Sequence, residues 1–155
     1  MKHKKILIVG LLIVFLVCIF WDCTGNSAED TAVKFVENML DGKAEKCADL
    51  MTDDLIGMSD YETKKLFVYA FEKTLDAKIE SYKAKYGKMW KYEVNVIDSF
   101  EYEPEYYDYD GDEKLVKVIL EVKHTGSGLF NDKEGTEELS LIMELLDGEW
   151  LVYDL

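Results

Sequence analysis

At Trp90 the spacing of apolar residues changes, and this constrains the fold more than any other feature of the chain. Before it, apolar residues recur every three or four positions, as on a helix with one buried face. After it they alternate, as on a strand with one buried face. Helices first and strands second is the pattern of an α+β domain, with the helices gathered against an antiparallel sheet.

Three helices are expected. Ser27 offers an N-cap with Asp30 three residues on, a near capping box, and Ala32, Phe35, Val36, Met39 and Leu40 follow at helical spacing up to the natural stop at Gly42. Ala44, Cys47, Ala48 and Met51 describe a short second helix, and residues 52–58 break the pattern. Ser59-Asp60-Tyr61-Glu62 reads as a capping box that opens the longest helix, striped by Phe67, Ala70, Phe71, Leu75, Ile79 and Tyr82 and ending near Gly87. Such stripes are read as core, not as cofactor sites.

About four strands complete the expectation, on a curved sheet. The first has Tyr92, Val94, Val96, Asp98, Phe100 and Tyr102 on its inward face, with Ile97 the exception on the mostly polar other face. Val116, Val118, Leu120 and Val122 line the second strand, Leu139, Leu141, Met143 and Leu145 the third, and Trp150 and Val152 the fourth. Asp147-Gly148 is a two-residue hairpin signal that sets Leu145 opposite Trp150, Met143 opposite Val152 and Asp154 opposite Leu141. A tight turn at Asp110-Gly111 would set Glu103 against Val118, so that connection needs an odd loop or a bulge. Pro104 also argues against regular pairing there.

Residues 1–25 read as an address. Lys2, Lys4 and Lys5 precede an uncharged run from Ile6 to Trp21, closed by Asp22. As a helix the run would measure about 24 Å, short of a ~30 Å hydrocarbon core. Retained anchor, cleaved signal and atypical lipoprotein signal all stay open, since Val17 precedes Cys18 and Asp22 precedes Cys23. In each case the positive-inside rule puts residues 26–155, a single domain, on the extracytoplasmic side of the cell membrane, tethered there or secreted.

Composition narrows the partners. All 18 basic residues are lysine, against 32 acidic residues, for a net charge of -14. Nucleic acid is a poor partner for such a surface, because phosphate binding wants clustered cations and arginine is its best bidentate ligand. Only one histidine, His124, lies beyond the leader, so the usual His/Cys zinc sites lack their parts. A Ser–His–Asp triad would have to use His124, and no G-x-S-x-G nucleophile elbow is present, since TGSGL at 125–129 lacks that spacing. No phosphate-cradling glycine loop is present, and no cofactor is implied. Cys47 falls on a helical apolar face and reads as a buried thiol; a Cys23–Cys47 disulfide would require the two backbones to approach within ~7 Å.

The segment AVKFVENMLDGKAEKCADLM (32–51), a helix, a glycine turn and a small-residue helix, and the closing hairpin LIMELLDGEWLVYDL (141–155) resemble the nuclear-transport-factor-2-like superfamily, whose helices close a conical sheet. The likeness is to small exported or membrane-tethered members common in Gram-positive bacteria. It implies a pocket inside the cone, in a family that hosts isomerases, dehydratases, ligand binders and assembly modules.

On that basis Asp98, Tyr102, His124, Trp150 and Asp154 are the expected pocket residues, because polar groups on an apolar face need a partner or a role. A carboxylate there could serve as acid or base beside Tyr102. Asp108, Asp110, Asp112 and Glu113 form a weak calcium candidate, although Gly111 falls at the wrong position for an EF-hand loop. Tyr106, Tyr107 and Tyr109 beside them offer a partner-binding patch. No catalytic set is complete. The expectation is therefore a membrane-associated, non-enzymatic module that binds an unknown protein or small molecule. A pocket isomerase or dehydratase, or a subunit of an envelope or secretion assembly, is the alternative.

Overall fold

The structure, a computed structural model, describes residues 27–56, 60–104, 114–127 and 132–155. Four helices precede four strands: α1 Ala28–Leu40, α2 Ala44–Ala48, α3 Asp53–Ile56, α4 Tyr61–Tyr86, then β1 Lys91–Glu101, β2 Leu115–Ser127, β3 Asp132–Leu146 and β4 Glu149–Asp154. The α+β expectation holds. The first 25 residues, and with them the anchor helix, lie outside the described residues. No helix among the described residues is long and apolar enough to cross a membrane.

Local chemistry sets the helix ends. Ser27 caps α1 by accepting from the Asp30 N–H at 3.1 Å, and Gly42 reverses the chain at φ 72°. The short helix α3, absent from the expectation, went unread because four residues carry no period; buried Thr52 starts it by accepting from the Leu55 N–H. The cap of α4 is Asp60, one residue later than the capping box suggested. Its carboxylate accepts from both the N–H and the hydroxyl of Thr63, which holds its pKa below the usual range. Gly87, at φ 102°, ends the helix and leads through residues 88–89 to Trp90.

The strands form one antiparallel sheet in the order β1-β2-β3-β4. Leu145 pairs with Trp150 and Met143 with Val152, as the Asp147-Gly148 hairpin requires. Beyond β4 the edge is covered, because the Thr52 N–H donates to the Val152 carbonyl at 2.9 Å and the Val152 N–H to Leu50 at 2.7 Å. Phe35, Val36 and Ala32 of α1 pack with Val118, Leu120, Val122, Met143 and Val152 in the core. Each such fully buried large side chain contributes roughly 1.5–3 kcal/mol.

Two bulges redirect the chain. Between Val96 and Asp98 the β1–β2 register slips by one, so that Val96 pairs with Leu120 but Asp98 with Ile119. Between Ile142 and Met143 the β3–β4 register slips likewise, and Asp154 pairs with Ile142 instead of Leu141. Side chains alternate with period two, so a slip of one residue moves everything beyond it to the opposite face.

Candidate functional site

The bulges dispose of two expected pocket carboxylates. Asp98 is exposed, on the sheet face opposite the helices, and among the described residues its carboxylate accepts only from the Ser99 N–H at 2.9 Å. Ser99 takes the inward place, opposite Val118, and its hydroxyl bonds Glu29 of α1; that bond is the main reason the Glu29 carboxyl titrates below its usual range. Asp154 is also exposed and turned outward, accepting from the Leu155 N–H at 2.9 Å. Tyr102 follows β1, half-buried, with its N–H on the Leu115 carbonyl, and the shifted register sets it on the side of Asp98. The calcium candidates Asp108, Asp110, Asp112 and Glu113, and Tyr106, Tyr107 and Tyr109, lie outside the described residues. Among the described residues no three metal-ligating side chains converge.

His124 and Trp150 do face the helices, but at opposite ends of the sheet. Trp150 lines a cavity of about 300 Å³ with Ser27, Glu29, Ser99, Lys114 and Val116. Val116 and His124 are eight positions apart on β2, so about 26 Å separates the two ends at ~3.3 Å per residue. The structure therefore does not assemble the expected pocket.

What it assembles instead is a sealed cluster around His124. The imidazole is 1% exposed. It stacks with Tyr82 at 4.5 Å between centroids, Tyr86 at 5.2 Å and Trp90 at 5.8 Å. The Trp90 indole N–H donates to His124 Nδ1 at 3.1 Å. Glu137 of β3 accepts from the Tyr82 hydroxyl with both oxygens, at 2.7 and 2.8 Å, and lies 3.5 Å from Lys78 Nζ. Burial, then the Glu137 charge, pushes the Tyr82 hydroxyl pKa well up. Burial pushes that of His124 down, against the pull of Glu137 and with the help of Lys85 and Lys78.

Glycines let this cluster close. A Cβ on Gly126 would run into the Tyr86 backbone carbonyl, and one on Gly135 into the Tyr86 hydroxyl. Gly135 stands opposite His124 in the β2–β3 pairing, so the sheet is bare of side chains where the end of α4 lands. Glu137 was missed from sequence, although it continues the Leu139, Leu141, Met143 alternation by one more step. Tyr86 likewise continues the α4 stripe one turn past Tyr82.

A third region is open. On the first half of α4, Tyr61, Leu66 and Tyr69 are 77%, 68% and 62% exposed. Beside them Tyr61, Lys64, Lys65, Val68, Glu45 and Asp49 line a cavity of about 280 Å³ between α4 and α2. A second cavity, of about 320 Å³, shares Glu45 and Val68 with it, so the two form one groove. Lys64 pairs with Asp49 across it at 3.1 Å, and Lys73 sits over the Tyr69 ring at 5.5 Å.

No protein-family model matches the sequence, and no curated protein matches it. Among solved structures, the chain is similar to a candidate NTF2-like transpeptidase from Campylobacter jejuni, with a TM-score of 0.46 and 18% identity over 81% of this chain and 95% of that one. It is also similar to the intermembrane space region of the chloroplast protein ARC6, with a TM-score of 0.26 and 17% identity over 79% of this chain and 92% of that one.

Proposed function

We propose that this chain is a non-enzymatic interaction module, held on the extracytoplasmic side of a membrane by its N-terminal segment, which binds a protein partner through the first half of α4. One observation carries the reading: Leu66 and Tyr69, neighbours one turn apart on α4, expose apolar surface, and Tyr61 does so at the rim of a groove between α2 and α4. Tyrosine in such a setting is a favoured interface residue, and the lysines and acids lining the groove supply a polar rim. On the helix-covered face His124 Nδ1 is meanwhile engaged by Trp90 and the Glu137 carboxylate by Tyr82. The outward placement of Asp98 and Asp154 argues against an isomerase or dehydratase built on either carboxylate.

The test is purification of the full chain from its native membranes in mild detergent, beside a variant carrying Leu66→Asp and Tyr69→Asp. The reading expects a stoichiometric protein partner with the parent chain, and its loss from a variant whose circular dichroism is unchanged. A partner retained by the folded variant, or no partner with either, would overturn it.

A further inference from the structure

The C-terminal end of α4 is tied to β3 by the bonds of Tyr82 to Glu137 and of Lys133 Nζ to the Lys85 carbonyl, and the turn after it is tied to β2 through the His124 imidazole. Trp90 Nε1 is 3.1 Å from His124 Nδ1, and an indole N–H can only donate, so Nδ1 carries the lone pair. The proton of the neutral ring is therefore on Nε2. That nitrogen is buried without a hydrogen-bond partner among the described residues, 3.8 Å from Glu137 Oε2. Glu137 faces the ring from β3; Lys78, Lys85, Tyr82 and Tyr86 face it from α4. From β1, Tyr92 pairs with His124 in the register, its hydroxyl engaged with Asp41 of α1.

We propose that His124 is a pH-operated latch, which holds Trp90 and the 87–90 turn on the sheet while neutral and releases them on taking up a proton. The step is a single proton uptake. A proton from water adds to the Nδ1 lone pair, the same pair that accepts the Trp90 bond, so two N–H groups then confront each other and that bond is lost. The resulting cation has its Nε2–H directed to the Glu137 carboxylate, and a ring shift of about 1 Å would bring the pair into hydrogen-bond range. Cationic Lys78 and Lys85 and the burial of the ring keep it neutral near pH 7. The latch does not depend on the partner-binding role, since it concerns the opposite end of α4.

The sign follows from linkage. His124 is harder to protonate in the folded protein than in the unfolded chain, whose histidine titrates near 6.5. Its stabilising contribution is complete above that value and is lost as pH falls through it toward the folded pKa. Across that window the folding equilibrium constant falls by up to about tenfold per pH unit.

The experiment is a titration of the full chain from pH 7.5 to 4.5 by NMR, following the Trp90 indole N–H and the His124 imidazole. The expected result is a shared midpoint below 6.5, with the indole signal leaving its hydrogen-bonded position as the imidazole charges. In His124→Gln, whose amide oxygen can still accept from Trp90 but does not titrate, the indole signal should stay in place and the extra acid sensitivity of folding should vanish. Should that variant fail to fold, the parent titration decides alone. A Trp90 signal that ignores the His124 titration, a midpoint at or above 6.5, or a ring still neutral at pH 4.5 would overturn the latch, as would wild-type acid sensitivity in a folded His124→Gln.

Discussion

Replacing Gly135 with alanine tests how α4 is seated. A Cβ built at Gly135 meets the Tyr86 hydroxyl oxygen first, then ring carbons Cε1 and Cζ at 3.2 Å. The backbone there is one any residue adopts, so alanine brings overlap and no conformational strain. Overpacking of this kind costs about 1–3 kcal/mol. At ~3–5 °C per kcal/mol for a domain of this size, the melting temperature should fall by roughly 3–15 °C. Tyr86→Phe deletes the atom that blocks the methyl and leaves ring carbons that need give only slightly. The double variant should therefore recover most of the loss, with a favourable coupling of about 1–2 kcal/mol. Gly126→Ala supplies the control: its Cβ meets the Tyr86 backbone carbonyl, whose carbon lies at 2.8 Å, and Tyr86→Phe leaves that carbonyl in place. Thermal and urea unfolding of the parent and five variants, the three single substitutions and each glycine change combined with Tyr86→Phe, read by near-ultraviolet circular dichroism, measures all of this. A Gly135→Ala chain as stable as the parent would refute the reasoning, and so would equal rescue at both glycines.

Further outcomes follow from the same contacts. Glu137→Gln should cost about 1–3 kcal/mol in urea unfolding, because the Tyr82 hydroxyl loses a charged acceptor in a buried setting. Asp98→Asn and Asp154→Asn should each change stability by less than about 0.5 kcal/mol, since both side chains are exposed and accept from the next residue's N–H. The Cys47 thiol, its pKa pushed up to about 12 by burial, should resist alkylation at pH 8 in the folded chain and react once the chain is denatured in urea.

Much of the architecture was legible because period reports burial directly. The α1 cap at Ser27, the glycine stop, the helix-to-strand change at Trp90 and the Leu145–Trp150 pairing all appear where local pattern places them. The pocket was not legible, for a physical reason. Alternation assigns a face only while the register holds, and a bulge is one extra residue that leaves little mark in composition. Ile97, 54% exposed and the one apolar residue off phase in β1, was that mark, and every inward assignment beyond it inverted. At β4 no comparable mark existed, because Tyr153 suits either face of a sheet. The His124 cluster drew on residues from α4, the following turn, β2 and β3. Its members were each visible as core or alternation, but their meeting depends on bare glycines at 126 and 135, whose role appears only once α4 is laid across the sheet.

Recognition of a partner by the first half of α4 is open to a direct check. Site-specific photocrosslinking in native membranes tests it most directly, with the crosslinking residue at Tyr69 and, for comparison, at Glu80, an exposed polar position farther along the same helix. One discrete protein adduct is expected from position 69 and none from position 80. No adduct at 69, or the same adducts from both positions, would contradict it.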